Sequence, residues 1–354
     1  MTAGIRHLHT PKEAEAVVEL QRAIWGADEV PSHVLLTAAH NGGLLAGAFV
    51  GDRLAAFVFG FPGLDDSVHP PQLKHCSHQL GVHPDFRNQG LGLALKRFQR
   101  NHVAAQGIEL ITWTFDPLLA ANAHLNIARL GAVCSTYLED AYGPLEDGLN
   151  AGLPSDRFQV ELWVNSPRVR AAMRQEHAQG VLPRDVFWMN SLEHGLPAPP
   201  GPFPDLAEWP ASVALAIPPD FLKLKSGDSA AAAAWRWGTR TAFVRLFAEG
   251  YVVVDFLRQA NSGCYLLGRL DQSQGGSAAR PPRSSRPRRS SADPGHSVLS
   301  GHSMRIEQIT LHHLRMPLVA PFETSFGRIT DRECILIELA SEGLTGIGEC
   351  VADR

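Results

Sequence analysis

The chain has 354 residues, 44% of them apolar and 19% charged, with a formal net charge of −4. That length suits two or three domains, and the charge balance gives no global reason to expect a nucleic acid or an anionic membrane as partner. Five widely spaced cysteines (Cys76, Cys134, Cys264, Cys334 and Cys350) form no CxxC pair, which argues against a disulfide framework or zinc ribbon and fits a reducing cytoplasm.

The N-terminus lacks a basic stretch followed by an apolar one, so no signal peptide is expected. Residues 12–25 place Ala16, Leu20, Ala23 and Ile24 at three- and four-residue spacing, predicting an early amphipathic helix. The apolar window 43–61 is split by Gly51, Asp52 and Arg53; a membrane span needs about 20 uninterrupted apolar residues, so two strands joined by a tight turn are predicted. Lys74 to His83 predicts a strand stopped by Pro84, with Cys76, His78, Leu80 and Val82 on one face and His75 and His83 on the other.

The run Arg87-Asn88-Gln89-Gly90-Leu91-Gly92 follows, and residues 90–106 predict a helix with Leu91, Leu95, Phe98 and His102 in one stripe. A helix start leaves amide donors unpaired and carries partial positive charge, which suits a pyrophosphate. Gly90 and Gly92 allow close main-chain approach, and Arg87 adds a planar cation. Residues 108–115 predict a strand, 119–130 a helix ended by Gly131, and 157–164 a further strand. Strand, loop, helix and strand make a βαβ unit, so residues 1–165 read as one α/β domain.

Residues 166–271 predict a smaller α+β domain without a catalytic motif, completing a dimer or covering an acceptor site. Residues 272–303 are rich in Ser, Pro, Arg and Gly and are predicted to be a disordered linker. Its arginines lack interleaved aromatics, so a solvated linker is preferred to a nucleic-acid tail. From Met304 to Arg354 three strands predict a partial β-meander.

The segment LGVHPDFRNQGLG resembles the acetyl-CoA-binding segment of the GNAT superfamily, and the resemblance extends over about residues 5–165. It implies a mixed α+β sheet of GNAT type and an acyl-CoA co-substrate without a metal. Main-chain groups of Leu80 and Val82 would hold the thioester and pantetheine arm, and the amides around Arg87, Asn88, Gln89, Gly90, Leu91 and Gly92 the pyrophosphate. Asn122 and Asn126 would line the cofactor groove, with capping or surface placement as the alternative. The implied activity is acyl transfer, acetyl or succinyl, to the primary amine of a small molecule; a catalytically inactive CoA-binding module is the alternative.

An amine nucleophile must lose a proton, and His78 is the candidate base, a histidine bonded inside the sheet being the alternative. The family's usual tyrosine acid is replaced by Ile127, leaving Tyr137 or Tyr142 as substitutes. The segment Tyr142-Gly143-Pro144 through NAGLPSDR resembles a subgroup of GNAT-like proteins, which would put Asp156 and Arg157 near the acceptor, Arg157 suiting a carboxylate; shaping a turn is the alternative. The block from Met304 resembles the capping domain of o-succinylbenzoate synthase and N-acylamino acid racemase, through RMPLVAPFETSFG and GIGECVA. Whether it is a true fusion or a second reading frame begun at Met304 stays open. Either way it suggests a functional link to such a racemase, with an amino acid as acceptor.

Overall fold

The computed structural model describes residues 4–26, 30–143, 152–174, 181–193, 196–205, 208–259, 261–269, 308–324, 327–341 and 344–351. They form two compact units, residues 1–286 and 287–354. The expected linker 272–303 lies outside the described residues.

In the first unit, β1 (Gly4–His7) leads into α1 (Pro11–Trp25). Thr10 caps α1 reciprocally: its hydroxyl accepts the Glu13 N–H at 3.3 Å, and Glu13 Oε2 accepts the Thr10 N–H at 3.0 Å. The buried stripe runs through Ala14, Val17, Val18 and Gln21, whereas Ala23, expected in it, is exposed. A helix that the periodicity did not predict, α2 (Ser32–His40), packs beside α1. The predicted hairpin is present as β2 (Leu44–Val50) and β3 (Arg53–Asp65), turning at Gly51 with φ of 59°.

Next come β4 (Gln72–Val82), α3 (Leu91–Ala105) and β5 (Leu110–Phe115). The helix expected over 119–130 is a short α4 (Ala120–Ala123) that widens into a π-helical segment, His124–Arg129. Then follow β6 (Val133–Leu138), β7 (Arg157–Trp163), α5 (Pro167–Arg174), and the two-residue strands β8 (Phe187–Trp188), β9 (Leu192–Glu193) and β10 (Leu196–Pro197). The unit ends with β11 (Ser212–Ile217), α6 (Phe221–Gly227), α7 (Ser229–Ala248), β12 (Val252–Arg258) and β13 (Gly263–Gly268).

One mixed sheet takes the order β1-β2-β3-β4-β5-β7-β6-β12-β13-β11-β8. The 166–271 segment was expected to form its own domain, but it continues this sheet, joined where Val253 of β12 pairs Cys134 of β6. Its α7 shares one apolar core with β5 and β7, in which Phe158 meets Phe243 at 4.7 Å between ring centroids. The joint is also polar. Arg236 of α7 donates to both carboxylate oxygens of Asp116, and Arg240 binds Asp156, which also accepts the Tyr137 hydroxyl at 2.7 Å. An independent domain would close its own core, and these residues do not.

α1 and α2 cover one side of β2–β4, and α3 covers the other. β4 and β5 run parallel and pair only through His75 with Ile111 and Cys76 with Thr112. Beyond Cys76 the two strands part, leaving a wedge in the middle of the sheet. The second unit is an antiparallel meander of β14 (Gln308–Thr324), β15 (Gly327–Ser341) and β16 (Leu344–Val351), the three strands predicted from the sequence.

Candidate functional site

The wedge is floored by the N-terminus of α3. After β4 ends at Val82, a 3-10 turn at Pro84–Phe86 and a left-handed Asn88 (φ 63°) lead to Gly90, the N-cap residue of α3, at φ 79°. No side chain caps this helix, and residues 87–90 are exposed, so its first amide donors are left for an anion. A Cβ added at Gly90 would have open space around it, whereas its backbone angle suits glycine. A Cβ at Gly92 would lie 3.6 Å from Leu80, 3.9 Å from Val82 and 4.0 Å from Leu125. Gly92 thus marks the place where β4, α3 and the π-helical segment converge. Leu91, the first residue of α3, is buried against the sheet and anchors this end.

The inner end of the wedge differs from the sequence expectation. Ser77 pairs with Gly60 and Gln79 with Phe59, so His78 is the extra residue of a β-bulge. A bulge reverses the alternation of side chains. His78 therefore does not share a face with Leu80 and Val82, as strict alternation predicted; His75 and Ser77 do. The latter two point toward α3, where His75 is fully buried and Ser77 nearly so.

There they meet Lys96 and Gln99 of α3. Lys96 Nζ donates to Ser77 Oγ at 2.7 Å and to Gln99 Oε1 at 3.1 Å, and it lies 3.7 Å from the centre of the Trp113 ring. Gln99 Nε2 lies 3.1 Å from His75 Nε2, while His75 Nδ1 has no hydrogen-bond partner among the described residues. Burial drives the pKa of Lys96 down to about 7. Burial, reinforced by the neighbouring Lys96 and His102, drives that of His75 down to about 3, so this imidazole stays neutral.

On the opposite face, His78 packs edge-on to Phe59 and tilted against Phe61, with ring centroids 5.9 and 6.0 Å away. These aromatics line a cavity of about 780 Å³ together with Val30, His33 and Val34. His78 is exposed on this face, and partial desolvation beside the two rings holds its pKa below its ordinary value, which favours a neutral imidazole able to accept a proton. Because Trp113 faces Lys96, alternation along β5 puts Thr112 and Thr114 on the His78 side. The Tyr142 hydroxyl lies 2.6 Å from Thr114 Oγ1, and the Arg157 guanidinium lies 5.5 Å from the Tyr142 ring centre. The bulge thus puts His78, Tyr142 and Arg157 on one side of the sheet and the α3 cluster on the other.

Other sequence candidates fall differently. Tyr137 is hydrogen-bonded to Asp156, and burial together with that carboxylate raises its pKa far above the ordinary phenol value, so it is a poor acid. Ile127 is fully buried in the core shared by β5, β7 and α7. Asn122 is exposed on α4, and Asn126 is buried one turn later. Arg157 is itself nearly buried and donates to the Asp156 carbonyl at 2.8 Å. Lys96, Ser77 and Gln99 were missed from the sequence. The signal for the two α3 residues was a second stripe, Gly92-Lys96-Gln99-Val103, beside the apolar one; Ser77 on β4 had none. Among the described residues no group of three or more His, Cys, Asp or Glu side chains could hold a metal, and no helix is long and apolar enough to cross a membrane.

No family model matches the chain. A solved acetyltransferase of the GNAT family from Streptococcus pneumoniae is 19% identical, covering 45% of this chain and 98% of its own, with a TM-score of 0.37. An aminoglycoside 6'-acetyltransferase type Ii is 16% identical, covering 46% and 97%, with a TM-score of 0.36. Among curated proteins, the N-succinylamino acid racemase of Thermus thermophilus is 51% identical over 51 residues, and the o-succinylbenzoate synthase of Geobacillus stearothermophilus is 47% identical over 51 residues. The chain spans 14% of the length of each of these two relatives. It is thus similar to GNAT acetyltransferases over a little under half its length, and to racemases and synthases of succinylated compounds over one short stretch.

Proposed function

We propose that the chain is an N-acyltransferase that moves an acetyl or succinyl group from acyl-CoA to the primary amine of a small molecule. The observation that carries the reading is the wedge between β4 and β5 floored at Gly92 and opening on the uncapped N-terminus of α3. The amides from Asn88 to Gly92 would bind the pyrophosphate, with Arg87 as an added cation. Main-chain groups of Leu80 and Val82 would hold the pantetheine arm, and Asn122 and Asn126 belong to the far wall.

The amine approaches from the cavity beside α2. His78 takes its proton, the free amine attacks the thioester carbonyl, a C–N bond forms and the C–S bond breaks. Tyr142 is the candidate that returns a proton to the departing thiolate, and a thiol of pKa about 8.5 also leaves tolerably unaided. The short stretch similar to N-succinylamino acid racemase supports an amino acid as acceptor, its carboxylate received by Arg157.

Measuring CoA release with acetyl-CoA and succinyl-CoA across amino acids and simple amines tests this. Acylated amino acids are expected. Acylation of simple amines alone would remove the amino-acid part, and CoA binding without turnover on any amine would leave a binding module in place of an enzyme.

A further inference from the structure

Lys96 is a buried cation in an unusual position. It is 5% exposed, and among the described residues no carboxylate forms an ion pair with it; burial is the cause of its lowered pKa, with no neighbouring acid to offset it. A buried ammonium is costly unless it is paired, and two neutral oxygens from Ser77 and Gln99 compensate it only in part. An ammonium has three donors, so one remains for a further acceptor.

Its place in the groove is equally specific. Lys96 follows Gly92 by four residues, so the two share a helix face about 6 Å apart along the axis. Its Nζ bonds Ser77, the residue next to Cys76, where β4 leaves β5. It therefore stands near the closed end of the wedge, one helical turn beyond Gly92. The Trp113 ring faces the ammonium at 3.7 Å, a cation–π contact that eases its burial without supplying a full counter-charge.

We propose that Lys96, flanked by Ser77 and Trp113, is a donor-selectivity site that receives the distal carboxylate of an acyl-CoA whose acyl group ends in a second acid, as succinyl-CoA does. This rests on the acyl-CoA reading of the groove and narrows its donor. A carboxylate supplies the counter-charge that Ser77, Gln99 and the Trp113 ring do not. An acetyl group has no carboxylate to offer the lysine, so with that donor the cation keeps only its neutral partners.

The test is calorimetric titration of the full chain with CoA, acetyl-CoA and succinyl-CoA, repeated for Lys96→Met and Lys96→Arg. The native chain is expected to bind succinyl-CoA about tenfold or more tightly than acetyl-CoA, as a charge-assisted contact implies. Lys96→Met should bring that ratio to about one, and Lys96→Arg should keep part of it. A native chain that does not distinguish the two donors overturns the proposal, as does a Lys96→Met variant that weakens both equally and preserves the ratio. Thermal shift of the native chain reads the same preference without any variant: succinyl-CoA must raise Tm more than acetyl-CoA does. If CoA binds and the donors are equivalent, the acyltransferase reading stands alone; if no CoA species binds, both fall.

Discussion

Two cations are buried in the same unit, and their surroundings are opposite. Arg236, 2% exposed, meets Asp116 with two hydrogen bonds; burial pulls its pKa down, but the carboxylate more than restores it and leaves it raised. Lys96, 5% exposed, has neutral partners and a pKa near 7. The first is a closed pair that fastens α7 to the end of β5. The second keeps an uncompensated charge at the inner end of a groove. Strongly perturbed groups at a cleft are where function is to be sought, while a charge-paired cation is accounted for by the fold.

Removing one half of the closed pair should have the largest effect. Asp116→Ala leaves Arg236 buried without its acid and should destabilise the chain by about 3–5 kcal/mol, read by denaturant unfolding. A loss under about 1 kcal/mol would mean that the pair is not a fastening. On the other side of the wedge, His78→Gln should lower kcat/KM by about 100-fold, the low end of the effect of losing a general base. The native pH profile should show an acid limb below 6.5, because burial lowers this pKa, and the variant should lack that limb. An unchanged profile would remove His78 from proton transfer.

Lys96→Met should act on stability in the direction opposite to Asp116→Ala. The folded pKa of Lys96 lies below its unfolded value of 10.5, so the folded state disfavours the charged form. The penalty is absent above about pH 10.5, grows as pH falls, and is complete below about pH 7. Methionine removes it, so the variant should gain on the order of 2 kcal/mol at pH 6 and almost nothing near pH 10. Melting curves at the two pH values check this, and a variant less stable at pH 6 than the native chain would contradict it.

The wedge was partly legible in the sequence because its parts are local. The hairpin turning at Gly51, the strand ending at Val82 and the helix starting at Leu91 each follow from turn residues and periodicity. The bulge at His78 was not, since alternation says nothing about an extra residue fixed by pairing with β3, and this one residue changed which of His75 and His78 shares a face with Leu80 and Val82. The sheet's continuation through Val253 and Cys134 is a long-range contact without a local pattern, so 166–271 read as a domain of its own. No motif or turn residue marks Lys96 within its helix. Only tertiary packing against Ser77 and Trp113 shows that its ammonium is buried.

The most direct test of the central claim is a calorimetric titration of the full chain with CoA, set beside Gly92→Val. Saturable binding is predicted for the native chain and about a 100-fold weaker interaction for the variant, near 2.7 kcal/mol, because the added side chain fills the floor between Leu80, Val82 and Leu125. No binding by the native chain, or equal binding by both, would contradict it.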